Sequence, residues 1–96
     1  MGAKLPKDPT HPGEMLLEEF LKPMNITQVA FAAHISVSFK RINGIVNGKR
    51  SITPETAWLF SKALGTTPQF WMNLQATYDL VHHRTGREVQ RISAPA

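Results

Sequence analysis

Ninety-six residues, 42% of them apolar and none cysteine, set the scale of one compact domain and exclude both a disulfide framework and a thiolate metal site. The net charge is +4 and the pI near 9.9, but the distribution says more than the total: no acid lies between Glu19 and Glu55, whereas Lys22, Lys40, Arg41, Lys49 and Arg50 fall inside that interval, a one-signed window that suits either a solvated face or a phosphate-binding surface. No apolar run approaches the ~20 residues that span a bilayer, and the stretch up to Leu5 lacks the apolar core of a signal peptide, so a cytoplasmic protein with no membrane partner is expected.

Residues 1–11 carry Lys4, Pro6, Lys7 and Pro9 without a periodic apolar pattern and read as a flexible N-terminal arm. Residues 12–84 read as one helical domain. Pro12 suits the first turn of a helix, Glu14 complements its positive end, and Leu16, Leu17, Phe20 and Leu21 recur at helical spacing until Pro23 ends the pattern. Thr27 caps a short second helix reaching about His34, with Val29, Ala30 and Ala33 on its inner face. Ile35-Ser36-Val37 makes a turn, and Ser38 caps a third helix that runs to about Asn47 and stops at Gly48.

Thr53-Pro54 opens the fourth helix, which carries Ala57, Phe60, Ala63 and Leu64 inward, sets Trp58 about 160° from Phe60, and ends at Gly65. Thr67-Pro68 repeats the start signal for a fifth, running through Phe70, Trp71, Leu74 and Tyr78 to about His83. Residues 85–96 read as a basic tail. No alternating strand pattern is present, so the expected class is all-α with five helices.

The third helix carries the functional reading. Taking Ile42 as the core direction, Ile45 and Val46 fall within about 60° of it and complete a buried stripe. Lys40, Asn43, Gly44 and Asn47 then occupy the far face, with Arg41 at its flank. Asn pairs bidentately with adenine, and Lys reaches guanine O6 and N7 or a phosphate. Gly44 costs an exposed helix about 0.5–1 kcal/mol relative to Ala. Either it lets the helix sit deep in a DNA groove or it serves a close helix–helix contact.

The run from Thr27 to Arg50 resembles the five-helix domain of the lambda-repressor-like (XRE) helix-turn-helix family, with Ile42 and Ile45 at core positions and Asn47-Gly48-Lys49 closing the recognition helix. More narrowly, HPGE at 11–14, EEFLKP at 18–23, IVNGKR at 45–50, ITPETA at 52–57 and WMNLQATYDL at 71–80 resemble antitoxins of the HigA/VapI type. That resemblance implies a protein that silences a ribosome-dependent mRNA-cleaving toxin of the HigB type and, as a homodimer, represses their shared operon without any cofactor. It makes Gln28 a phosphate contact, Ser38, Phe39, Lys40, Asn43, Gly44 and Asn47 the recognition positions, and Lys49 and Arg50 flanking backbone contacts. Ser36 departs from the pattern, because relatives usually have glycine in this turn. A positive φ there strains Ser36; any other φ changes the angle between the helices. Phe39 is also unusual, and suits either a thymine methyl or lateral packing.

Other residues carry less. The four histidines do not converge on a metal site: His11 and His34 fall on separate helices, and adjacent His82 and His83 point to different faces. No catalytic Ser-His-carboxylate or paired-carboxylate arrangement is legible. On the fifth helix apolar residues exceed one stripe. Phe70 and Leu74 suit the core, while Trp71 and Tyr78 suit either a second surface or rings wrapped within the same chain. A homodimer built on this helix takes Trp71, Leu74 and Tyr78 as its interface. Alternatives to the antitoxin are a stand-alone XRE-type repressor with the same DNA-binding residues, and a protein-interaction module that uses the fold without DNA.

Overall fold

The computed structural model describes residues 5–93. Each of the five α-helices begins on a side-chain cap. α1 (Pro12–Leu16) starts at His11, whose Nδ1 accepts from the Gly13 amide at 2.9 Å, and runs without a break into a π-helical turn over Leu17–Leu21. α2 (Gln28–His34) is capped by Thr27, α3 (Phe39–Val46) by Ser38, α4 (Pro54–Leu64) by Thr53 and α5 (Pro68–His82) by Thr67, each hydroxyl accepting from an amide three residues on. These bonds satisfy amides that a helix start otherwise leaves without partners. The all-α class and the five helices predicted from spacing are what the structure has; among the described residues there is no strand.

The π-helical turn lies just before Pro23, which has no amide hydrogen to carry the helical ladder on, although Lys22 itself stays in the right-handed helical region with φ -64° and ψ -52°. The Lys22 amide bonds the Leu17 carbonyl at 3.0 Å, one residue further back than in an α-helix. Leu16 and Leu21 would lie about 140° apart on an α-helix; the widened turn brings both into the core, where each is fully buried.

Three helix ends share one device. Asn25, Ser36 and Gly48 have φ of 56°, 59° and 74°, and the amide of each following residue reaches back to a carbonyl five residues earlier: Ile26 to Leu21, Val37 to Ala32, Lys49 to Gly44. Ser36 therefore holds a left-handed conformation that disfavours any residue with a Cβ, the strained branch of the sequence-based alternatives, and the turn keeps its tight geometry.

The core is centred on Trp71, which is 0% exposed and meets Phe20, Phe60 and Phe70 at centroid distances of 5.4, 5.1 and 5.0 Å. Its indole N–H donates to Thr66 Oγ1 at 2.7 Å, so the buried polar edge is satisfied. Trp71 is thus removed from the second surface assigned to it: wrapping one ring among three others within the chain buries more apolar area than half a helix–helix interface offers. α2 needs a second correction. Phe31 and Ala32 face inward, Phe31 against Phe60 at 5.5 Å, while Val29 is 62% exposed and Ala30 and Ala33 lie outside. One aromatic ring outweighs a valine and two alanines in apolar area, and it sets the rotation of the helix.

α1 crosses α3 at closest approach through Gly13, where an added Cβ would overlap the Ile45 carbonyl. Glycine is required there by proximity. The body extends further towards the N-terminus than the arm assigned to residues 1–11: Pro9 and His11 are buried, and residues 1–4 lie outside the described residues. Residues 84–93 are exposed without helix or strand, and 94–96 lie outside the description.

Candidate nucleic-acid interface

α3 presents the face predicted for it. Ile42 and Ile45 are fully buried, and Val46 is half-buried beside them. On the opposite side three amides join in a line across two helices: Asn47 Nδ2 donates to Asn43 Oδ1 at 3.0 Å, and Asn43 Nδ2 donates to Gln28 Oε1 at 3.1 Å. Gln28, at the first position of α2, is thereby tied to the middle of α3. Such a line fixes the side-chain rotamers while leaving unused donors and acceptors on each amide. Lys40 and Lys49 are exposed alongside, and neither makes an ion pair among the described residues.

Ser38 spends its hydroxyl on the Arg41 amide as the cap. Phe39 is 47% exposed, so lateral packing covers only part of the residue. Arg41 parts from the group: its Nη2 donates to Thr56 Oγ1 at 3.2 Å and lies 4.0 Å from Glu55 Oε1, which directs the guanidinium to the start of α4. Thr56 in turn shares a hydrogen bond of 3.0 Å with the cap residue Thr53. Arg41 locks α3 against α4, a partner that the far-face projection did not contain.

Gly44 is not at a helix crossing. A Cβ built there would lie 2.9 Å from Arg50 Cδ and 3.0 Å from Arg50 Cγ, so the stem of Arg50 fills the space above it. The Gly44 carbonyl also accepts from the amides of Lys49 and Arg50, at 2.8 and 3.1 Å. The segment after α3 is pinned further on by Gln75, which is buried and whose Oε1 accepts from the Ile52 amide at 2.7 Å while its Nε2 donates to Asp79. Sequence reasoning missed Gln75; nothing local sets its amide apart from that of Asn73 two residues earlier.

His11 was missed as well, having been counted with the arm. It faces Gly48 at the end of α3, with Cδ2 3.9 Å from where a Cβ would stand, and meets Tyr78 edge-on at 4.8 Å. Tyr78 in turn stacks on His82 at 4.1 Å. Burial pushes the His11 imidazole below its usual pKa; the carboxylates of Asp79 and Glu14 oppose this, and His82 adds to it. The neutral ring with a free Nδ1 is the form that caps α1.

A family model described as helix-turn-helix matches residues 17–71. The chain belongs to the helix-turn-helix family. The matched stretch contains α2, α3 and α4 whole. The virulence-associated protein I of Dichelobacter nodosus is 47% identical over 70 residues, covering 73% of this chain and 65% of the relative, so the chain spans a little under two thirds of that protein. Antitoxin HigA-1 of Vibrio cholerae is 40% identical over 77 residues, covering 80% of this chain and 72% of the relative. Among solved structures, antitoxin GraA in complex with its operator superposes with a TM-score of 0.84 at 34% identity, covering 97% of this chain and all of GraA, 100%.

Proposed function

We propose that this helix-turn-helix protein is an antitoxin and autorepressor, binding a palindromic operator as a homodimer in the cytoplasm and neutralising an mRNA-cleaving toxin of the HigB type. The observation that carries the DNA half is the line of amides from Gln28 through Asn43 to Asn47, set on the exposed face of α3 and flanked by Lys40, Lys49 and Arg50 in a stretch without acids. Amides of fixed rotamer suit base edges, and the exposed ammonium groups of Lys40 and Lys49 suit phosphates. The toxin half is supported by the likeness to HigA-1 and GraA. For the homodimer, Trp71 is withdrawn; Leu74 and Tyr78 keep partly open edges, and Leu80 beyond them is 60% exposed.

The test is a titration against a duplex selected by the protein from a random library, at rising salt, followed by co-expression with the toxin-like product of a neighbouring reading frame. With about 6–10 phosphate contacts from two protomers, affinity falls about 10³–10⁵-fold between 50 and 200 mM salt. Affinity that stays flat across that range contradicts the DNA reading. Operator binding without any effect on the toxin's mRNA cleavage identifies a stand-alone repressor.

A further inference from the structure

Lys49 and Arg50 follow the recognition helix as neighbours, and their charge alone gives them the same role. Their surroundings differ. Lys49 projects into solvent, whereas the stem of Arg50 lies back across Gly44, with Cγ, Cδ and Nε all within 3.3 Å of the position a Cβ would take. The backbone holds it there from both ends: the Arg50 amide donates to the Gly44 carbonyl at 3.1 Å, and two residues on the Ile52 amide is held by buried Gln75 at 2.7 Å. Among the described residues the guanidinium has no hydrogen-bond or ion-pair partner.

We infer that Gly44 is a positioning residue whose missing side chain seats Arg50 on the recognition face, and that Arg50 is a specificity-determining contact to a base edge and not a phosphate anchor. The inference rests on the DNA-binding reading above. The physical case is one of order. A phosphate contact tolerates a flexible cation, as Lys49 provides; a stem laid along the helix and fixed at its backbone loses less freedom on binding and presents its five donors in a defined plane, the property that bidentate recognition of guanine O6 and N7 uses. The glycine is then explained without deep insertion of the helix, since the space above Gly44 is already filled.

Gly44→Ala separates the possibilities because it is mild. The three atoms its Cβ would approach most closely all belong to the flexible stem of Arg50, and alanine favours the helix, so thermal stability holds or rises while Arg50 is displaced. Wild type, Gly44→Ala, Arg50→Ala and the double variant are titrated against the library-selected duplex and a scrambled one. The expected result is a loss of about tenfold in the selected-to-scrambled affinity ratio for each single variant, and no further loss in the double variant, because both changes remove the same contact. Arg50→Ala that weakens both duplexes equally overturns the base contact, and additive losses in the double variant overturn the seat. A wild type with no preference for the selected duplex defeats the DNA-binding reading and the base contact together. The seat is read separately in the free protein, by the order of the Arg50 Nε–H bond in NMR relaxation: it is restrained in wild type and released in Gly44→Ala, and a wild-type value as mobile as that of Lys49's side chain overturns it.

Discussion

α3 and α5 teach opposite lessons about an apolar pattern. In α3 (Phe39–Val46) the apolar residues other than the half-exposed Phe39 form one narrow stripe, Ile42, Ile45 and Val46, so the opposite face follows from geometry alone. In α5 (Pro68–His82) they spread around the helix, and the pattern leaves open how much the chain itself absorbs. It absorbs the largest ring. Trp71 became the centre of the core because the chain supplies Phe20, Phe60 and Phe70 around it and Thr66 for its indole N–H. A surplus of apolar side chains on a helix marks an interface only after the aromatic partners within the same chain have been counted.

The sharpest way to break that comparison is to exchange the fates of the two tryptophans. Trp71→Ala should cost about 3–5 kcal/mol in chemical denaturation, most of the stability of so small a domain. Trp58→Ala, at a position 56% exposed, should stay within about 0.5 kcal/mol. Similar losses for both would mean that the core is not centred where the structure has it.

A smaller effect sharpens the α3 side. Ser36 holds φ at 59° in the turn leading into α3, and Ser36→Gly should relieve that strain, raising stability by about 0.5–1 kcal/mol after glycine's own entropy is counted. Because the turn already has the geometry glycine prefers, affinity for DNA should not change. A destabilised Ser36→Gly would show that the serine makes a compensating contact.

The smallest effect falls at His11, which sits between Gly48 at the end of α3 and Tyr78 on α5. The pKa of His11 is lowered in the fold, so between its folded value and the ordinary 6.5 the unfolded chain binds the extra proton. Its contribution is complete above 6.5 and is lost as pH falls through the interval below it. Melting of wild type and of His11→Asn, which keeps a capping side chain, should therefore converge as pH is lowered from about 7.5 to about 5.5. A gap that widens on acidification would reverse the sign and place a favourable charge at His11.

Helix starts were legible because they rest on local chemistry: Thr27, Ser38, Thr53 and Thr67 cap where the sequence has them, two of them before proline. So was the exposed face of α3, including the amides Asn43 and Asn47. What escaped was every feature set by a partner distant in sequence. Phe31 found Phe60, Arg41 found Thr56, and Gln75 found the Ile52 amide. Nothing within the window around each residue marks these partners. His11 escaped for a different reason: an imidazole is an uncommon helix cap, and proline-rich flanks resemble an arm.

The central claim is that the exposed face of α3 reads base edges. It is tested most directly by titrating Asn43→Ala and Lys49→Ala against the library-selected duplex and a scrambled duplex at several salt concentrations, with helicity checked by circular dichroism. Asn43 sits at the middle of the amide line, and its loss should cost about 1–3 kcal/mol on the selected duplex and little on the scrambled one. Lys49→Ala should weaken both alike and lower the salt slope by about one unit. If Asn43→Ala weakens both duplexes equally while Lys49→Ala changes sequence preference, the roles are reversed and this helix does not dock on DNA through the face described.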